Sequence, residues 1–497
     1  MLRSKPLYPF VIAAYPTIHL YEVNFGSVPF SVVLAPLALS IFGAGLVLLL
    51  LRRLRRTRKQ APMLAALVVI LFFGYGVVYE GLPVWIPRID ALVKHRFTFP
   101  IWIALGLIAA CAVLRKKTPA SPLAWNLGAC CLLLLAGGSL VAKHYAVSHV
   151  SARSPALVGS GQVSGPDVYY IVLDGYGRKD ELDRYYDLDN SDFLSYLESK
   201  GFWIADSSKS NYLETALSIP SSLNLAYLED LKPKGARFDR WYTGSVIAGL
   251  MDRPAVFDYF KSLGYRTVNV SSGYQLSNNL AGADINLGYD FTLVEFNQKL
   301  LSLTLLRPFL GAPFELISGP QLLERFALLQ QAADLNGPKF VFSHILSPHP
   351  PYEFDSAGNP TNFDEDHQGW TNRAGYAGQL KFDNGKVRKA IEHILAVSAR
   401  PPIIVIQGDH GPSLLDSTPS RAWNAEWPAD QFRAREGILN AYFAPKAVKD
   451  QLYPSITPVN SFRAILRATF GANLPQLRDE TYFSTAAAPL DLSLVPK

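Results

Sequence analysis

Residues Asp167–Asp174 read DVYYIVLD and are followed by Gly175, Tyr176 and Gly177. A continuous apolar run that ends in a carboxylate and a glycine is what a strand buried on both faces needs as it feeds a turn. The pattern recurs downstream in RTVNVSS (Arg266–Ser272), KFVFSHIL (Lys339–Leu346) and PIIVIQGD (Pro402–Asp409). Amphipathic helical stretches lie between these runs, among them FLSYLESKG (Phe193–Gly201), AVFDYFKSLG (Ala255–Gly264) and KVRKAIEHIL (Lys386–Leu395). Such alternation predicts an α/β domain with a mainly parallel sheet flanked by helices. Ligands of such sheets gather at the carboxyl ends of the strands, so the residues that end each run are the ones to inspect.

Upstream of a small-residue linker, SARSPALVGSGQVSGP (Ser151–Pro166), the composition changes. Apolar residues make up 49% of the 497 and charged residues only 18%, with the apolar excess concentrated before about residue 145. Val32–Leu51, Met63–Leu82 and Leu123–Ala142 are long and apolar enough to span a hydrocarbon layer, and Phe97–Leu114 is slightly short but uncharged. Leu7–Phe25 contains Pro9, Pro16, His19 and Glu22; an interfacial hairpin is its other reading, and it is counted as a fifth span. Lys and Arg mark cytoplasmic loops, which places RRLRRTRK (Arg52–Lys59) and the Arg115–Lys117 cluster inside. The loop Pro83–Arg96 and everything after the last span then fall outside. Arg3 and Lys5 put the N-terminus inside, in agreement with five spans. The start MLRSKPLYPF has no small-residue cleavage site, so no removable signal peptide is expected. The expected organisation is a transmembrane region at 1–145, a linker at 146–166 and an extracytoplasmic catalytic domain at 167–497. The net charge of +6 sits largely in runs beside apolar segments, so it reads as topology and not as nucleic-acid binding. Cys111, Cys130 and Cys131 all lie inside apolar stretches, leaving the globular part without disulfides or thiolate ligands.

Three strand ends carry groups able to do chemistry: Asp174 in VLDGYG, His344 and His349 in FSHILSPHPPY, and Asp409 with His410 in QGDHGPS. A fourth element, NYLETALSIPSSLN (Asn211–Asn224), puts Thr215 at a helix N-terminus, where backbone amides can bind an anion. Carboxylate, imidazole and hydroxyl donors suit zinc and tolerate manganese. A divalent cation also removes the difficulty that a hydroxyl is a poor nucleophile at its ordinary pKa. Each piece has a bland alternative. An Asp-Gly after a strand is common turn chemistry, Thr215 could be a helix N-cap, and His344 a satisfied core histidine. DHG at the end of IIVIQ is the hardest to dismiss, because a strand delivers two adjacent ligating side chains to a crevice. Arg178 and Lys179, close after Asp174, could contact phosphate or simply face solvent.

In order and setting these segments resemble the alkaline phosphatase superfamily, specifically its membrane-bound branch with the bacterial phosphoethanolamine transferases and lipoteichoic acid synthases, and more loosely the sulfatases. The resemblance covers roughly Pro166–Phe483 and extends to several spans followed by an outside catalytic domain. It implies that Asp174, Thr215, Asp409 and His410 hold a divalent metal and that Thr215 is the nucleophile. Thr215, Ala216, Ser218 and Pro220 match the branch's threonine segment. His344 and His349 are similar to its His...His-Gly-Pro segment, with Pro350 in place of the glycine, and are implied to bind phosphate, the leaving group or a second metal. Two departures stand out: Asp174 replaces the transferases' usual glutamate, and the cysteines paired in many of them are missing. A sulfatase reading places the nucleophile at Ser218 instead, since SIPSS resembles (Cys/Ser)-x-Pro-Ser-Arg, but Ser222 occupies the arginine position.

The expected function is a metal-dependent transferase in the bacterial inner membrane. It moves a phospho-alcohol group, phosphoethanolamine or phosphoglycerol, from a membrane phospholipid donor to an envelope lipid or glycan acceptor through a phospho-threonine. The alternatives are a membrane-anchored phosphodiesterase or sulfatase with water as acceptor, and a non-catalytic binding protein for envelope assembly.

Overall fold

The computed structural model describes residues 5–25, 28–54, 58–85, 94–115, 121–148, 165–231, 240–289, 292–309, 319–361, 369–415, 427–485 and 488–496. Outside them fall most of the linker expected at 146–166, residues 86–93 of the expected outside loop, residues 55–57 of the basic loop, and Lys116 and Lys117. The chain forms two compact units, Met1–Ser148 with Phe291–Glu315, and His149–Asp290 with Leu316–Lys497.

The first unit contains α1 (Tyr8–Val23), α2 (Ser31–Arg53), α3 (Ala61–Trp85), α4 (His95–Arg115) and α5 (Pro122–Ser148). Four of these, α2 to α5, are long and apolar enough to cross a membrane. α1, expected as a fifth span, has 16 residues and rises about 24 Å, against the roughly 30 Å of a hydrocarbon core. It packs against α2, α3 and α5. Helix N-termini leave backbone donors without partners, and here the buried Asn126 of α5 accepts from Leu7 N and Tyr8 N, both at 2.9 Å. Near the other end Glu22 accepts from Ser139 Oγ (2.6 Å) and Lys143 Nζ (2.5 Å) of α5. Polar side chains in an apolar helix are costly unless paired, and these pairs fix α1 on α5. Within the first unit, a segment from much later in the sequence, Thr292–Ser302 with the turn at Arg307–Phe309, packs Phe296 and Leu300 against Leu20, Val28, Val32 and Val33.

The second unit is built on seven strands: β1 (Val168–Leu173), β2 (Trp203–Ile204), β3 (Arg266–Val270), β4 (Ile285–Leu287), β5 (Lys339–Ile345), β6 (Ile403–Gly408) and β7 (Asn440–Phe443). Their order is β2-β7-β6-β1-β5-β3-β4, with a separate hairpin of β8 (Tyr482–Thr485) and β9 (Ala488–Leu494). β1 runs parallel to both neighbours, and β3 is parallel to β5 and β4. β7 and β2 pair antiparallel at one edge. All residues of β1, β5 and β6 are buried. Side chains alternate across a strand, so Tyr169, Ile171 and Leu173 of β1 enter one core cluster, and Val168, Tyr170 and Val172 the opposite one.

The helix expected from Lys386 begins earlier, at Arg373, and runs to Val397. Asn372 caps it by accepting from Gly375 N at 2.8 Å. Its first half buries Gln379, Asp383 and Asn384. Polar residues on the inward face erase the apolar periodicity by which that half would be recognised.

Candidate active site

Register brings the strand ends together. Val172 of β1 pairs with His344 of β5, and Leu173 with Gly408 of β6, so Asp174 and Asp409 each stand one residue beyond adjacent strands. Neighbouring strands lie about 4.8 Å apart. One oxygen each of Asp174 and Asp409 and one ring nitrogen of His344 all lie within 4.8 Å of one another.

Thr215 is the first residue of the helix Thr215–Asn224 and is not its cap, a place held by Glu214. Its Oγ1 lies 3.4 Å from Asp174 Oδ2 and 3.2 Å from His410 Nε2. First-turn amides point out of a helix end, so the half-buried hydroxyl stands beside donors for an anion. Ser218, the alternative nucleophile, is 1% exposed and donates through Oγ to Asp409 O at 2.6 Å. That bond clamps the helix to the end of β6 and turns the hydroxyl away from the carboxylates.

His410 Nδ1 donates to Gly411 O at 2.9 Å, since a carbonyl can only accept. The lone pair is therefore on Nε2, which lies 3.6 Å from Asp174 Oδ1 and 3.5 Å from Asp409 Oδ2. Gly411 has to be glycine: a Cβ there would stand 2.0 Å from Ala434 O and 2.7 Å from Gly437 O. His344 Nδ1 is 2.7 Å from Ser277 Oγ, and its Nε2 is 3.5 Å from Asp174 Oδ2. His349 lies to one side, with its ring against Trp370 at 4.8 Å and Nδ1 on Pro350 O.

Burial opposes charge on Asp174, but the imidazoles of His349, His344 and His410 outweigh it and hold the carboxyl well below the usual range. Burial together with the charge of Asp174 pushes Asp409 up to about 7. Burial, reinforced by Arg435, lowers the pKa of His410 well below the ordinary value. Asp174 Oδ1, Asp409 Oδ2 and His344 Nε2 are buried with no hydrogen-bond partner. A buried polar atom without a partner costs about 1–3 kcal/mol. Three of them converging, two on carboxylates and one on imidazole, fit a divalent cation that takes oxygen and nitrogen donors.

Sequence reasoning missed Arg435. It lies in the short helix Ala429–Glu436, whose mixed charges read as a solvated surface. Folding buries it: Nε donates to Leu213 O (2.9 Å), Nη1 to Gly411 O (3.1 Å) and Nη2 to His410 Nε2 (3.1 Å). It also stacks over Trp370 at 5.1 Å. Nothing local distinguishes this arginine from Arg433 two residues earlier. The reading of Arg178 and Lys179 as phosphate contacts does not hold for Arg178, whose guanidinium binds Asp180, Glu181 and Ser208 O. Lys179 faces Asp183 and Asp189 at 3.8 and 3.9 Å.

A family model described as sulfatase matches residues 166–458, more than half of the chain. The chain belongs to the sulfatase family. The resemblance read from the sequence motifs is thereby borne out, and this sulfatase-family chain carries a sulfatase-like enzyme fold. No curated protein matches. Among solved structures, the chain is similar to the zinc complex of the C-terminal periplasmic domain of EcEptC from Escherichia coli, at 12% identity and TM-score 0.45, covering 69% of this chain and 96% of that one. It is also similar to the integral membrane lipooligosaccharide phosphoethanolamine transferase A of Neisseria meningitidis, at 14% identity and TM-score 0.42, covering 97% and 98%. A third is an alkaline phosphatase superfamily protein from Vibrio parahaemolyticus, at 12% identity and TM-score 0.39, covering 71% and 86%. At these values the likeness carries nothing about chemistry.

Proposed function

We propose that this sulfatase-family chain is a metal-dependent transferase anchored in the bacterial plasma membrane by several spans, with residues 167–497 acting outside. It moves a phospho-alcohol group of the phosphoethanolamine or phosphoglycerol type from a phospholipid to an envelope lipid or glycan, through a phospho-threonine on Thr215. The observation that carries this reading is the placement of Thr215 Oγ1 within 3.4 Å of Asp174 and 3.2 Å of His410, beside three buried polar atoms without partners.

Asp174, Asp409, His410 and Thr215 would hold the cation, and His344 Nε2 faces the same carboxylates, so it joins them as a donor in this reading. Zinc suits the mixed set, and manganese is tolerated. When bound, the cation acts as a Lewis acid that favours the alkoxide and offsets charge on the transferring group. The chain supplies the rest. Thr215 Oγ attacks phosphorus in line and the bond to the leaving alcohol breaks, leaving the group on Thr215. The first-turn amides and the buried Arg435 bring positive potential to the same side as the attacking hydroxyl. His349 orients or protonates the departing oxygen. A second alcohol then takes the group from Thr215 and regenerates the hydroxyl.

Mass spectrometry of the full chain incubated with phosphatidylethanolamine tests this. A phosphate-bearing adduct is expected on Thr215, absent in Thr215→Ala and retained in Ser218→Ala. An adduct on Ser218, or full turnover by Thr215→Ala, would sink the reading. Sulfatase-family membership favours hydrolysis as the second reading, and free phospho-alcohol released without labelling of any acceptor would establish it.

A further inference from the structure

A cavity of about 540 Å³ lies in the first unit, and its lining is mostly apolar. α2 lines it from Ala35 to Val47 and α3 from Val68 to Phe73, while Asn297, Leu300, Leu301 and Thr304 complete it. These last four belong to a segment that falls inside the sulfatase match by sequence yet packs with the helices. The segment is seated through its backbone. Gly76 N donates to Leu303 O at 2.9 Å, and Leu305 N donates to Phe72 O at 2.7 Å. A Cβ at Gly76 would stand 2.0 Å from Ser302 O, so only glycine allows the approach.

Size and chemistry specify an occupant. At the roughly 30 Å³ that a small molecule takes up in a liquid, 540 Å³ holds about 18 heavy atoms. The thirteen residues of α2 from Ala35 to Val47 rise about 18 Å, close to one leaflet of a hydrocarbon core roughly 30 Å thick. The lined stretch occupies the middle of α2, whose Arg52 and Arg53 mark the cytoplasmic end; α3 starts beside that basic end and carries Glu80 near its other end, toward the opposite membrane surface. On the same segment as Leu300 and Thr304, Lys299 lies 3.2 Å and Arg307 2.7 Å from Glu80 of α3. Two cations share one carboxylate, and the trio keeps a net positive charge.

We infer that this groove holds one acyl chain of a glycerophospholipid, with Lys299 and Arg307 meeting its phosphate. The outer-leaflet placement rests on the topology proposed above; the binding itself does not depend on the reaction. A segment of the family domain thus forms part of the wall around a bound lipid in the helical unit.

The test uses the full chain in vesicles of phosphatidylglycerol and phosphatidylethanolamine, doped with a phosphatidylethanolamine that carries a diazirine on its acyl chain. Photolabel should concentrate in peptides covering residues 35–47 and 68–73. Gly43 lines the groove, and a Cβ there meets nothing within 4 Å, so Gly43→Phe starts its ring into open space and occupies the groove. It should lower that labelling by about tenfold. Gly128→Phe, equally unobstructed but on α5, should not. The double variant Lys299→Gln, Arg307→Gln should weaken labelling by the phospholipid probe and leave labelling by a neutral diacylglycerol probe unchanged. Label spread evenly over α2 to α5, or indifferent to Gly43→Phe, overturns the inference. A lost groove signal beside an intact Thr215 adduct sinks the groove alone, and the reverse result sinks the reaction alone.

Discussion

Asp409→Asn should make the metal-free protein more stable and the metal-loaded protein less so. Asp409 Oδ1 accepts from Gly175 N (3.0 Å) and His410 N (2.9 Å), and an asparagine keeps that oxygen. The substitution therefore changes only the unpartnered Oδ2, which faces the cation position. Without the cation, burial and the Asp174 charge push Asp409 from 3.8 up to about 7. An acid whose pKa rises on folding costs nothing below its unfolded value and costs its full amount above the folded one. Each unit is worth about 1.4 kcal/mol, so the cost is roughly 4 kcal/mol at pH 8 and less than half of that at pH 5. For a unit of roughly 320 residues, about 1.5 °C per kcal/mol converts this to a melting temperature about 6 °C higher for apo Asp409→Asn at pH 8. Zinc at 100 times its Kd adds about 2.7 kcal/mol, or about 4 °C, to the wild type. It should add far less to the variant. Differential scanning fluorimetry of the detergent-solubilised chain, with EDTA or zinc at pH 5 and pH 8, measures all four states. If the apo variant melts no higher than apo wild type at pH 8, or zinc raises both equally, the carboxylate pair is not a cation site.

Other consequences can be checked separately. Arg435→Lys cannot reproduce three bonds from one planar fork, and turnover should fall roughly 10- to 100-fold while far-UV circular dichroism stays unchanged. Gly411→Ala drives a Cβ against Ala434 O and should move His410 enough to cost about 100-fold in kcat in a phosphodiester cleavage assay. Asp383, buried in contact with Ser347 and Gln379, is pushed up to about 7 by burial. Its cost is absent below 3.8 and complete above about 7, so the melting-temperature gain of Asp383→Asn should grow from pH 4 to pH 8. Gly76→Leu collides with Ser302 O and should destabilise the seating of the Thr292–Ser302 segment by about 1–3 kcal/mol, read as faster tryptic cleavage after Lys299.

The strands, their polar ends and the apolar helices were legible in the sequence because each is a local pattern. DVYYIVLD, KFVFSHIL and PIIVIQGD became β1, β5 and β6, each with a carboxylate or imidazole at or near the carboxyl end. Thr215 was readable as a helix start from the apolar run after it. α1 was readable as an apolar helix, and it runs from Tyr8 to Val23 with Pro16 inside it. The first half of Arg373–Val397 was missed because polar Gln379, Asp383 and Asn384 interrupt a buried face otherwise made of Tyr376, Leu380 and Phe382.

Hydrophobic periodicity, charge runs and the residue types at strand ends thus settled by themselves that this chain joins apolar helices to an α/β domain with carboxylate, imidazole and hydroxyl groups at its crevice. Only the folded chain decided that β1 lies between β5 and β6, which is what sets Asp174, His344 and Asp409 within 4.8 Å of one another. It also decided that Arg435 is buried against His410, and that Thr292–Phe309 packs with the helices. Local patterns report which face of a segment is apolar. Which other segment covers that face depends on contacts across more than a hundred residues, and no short stretch of sequence encodes them.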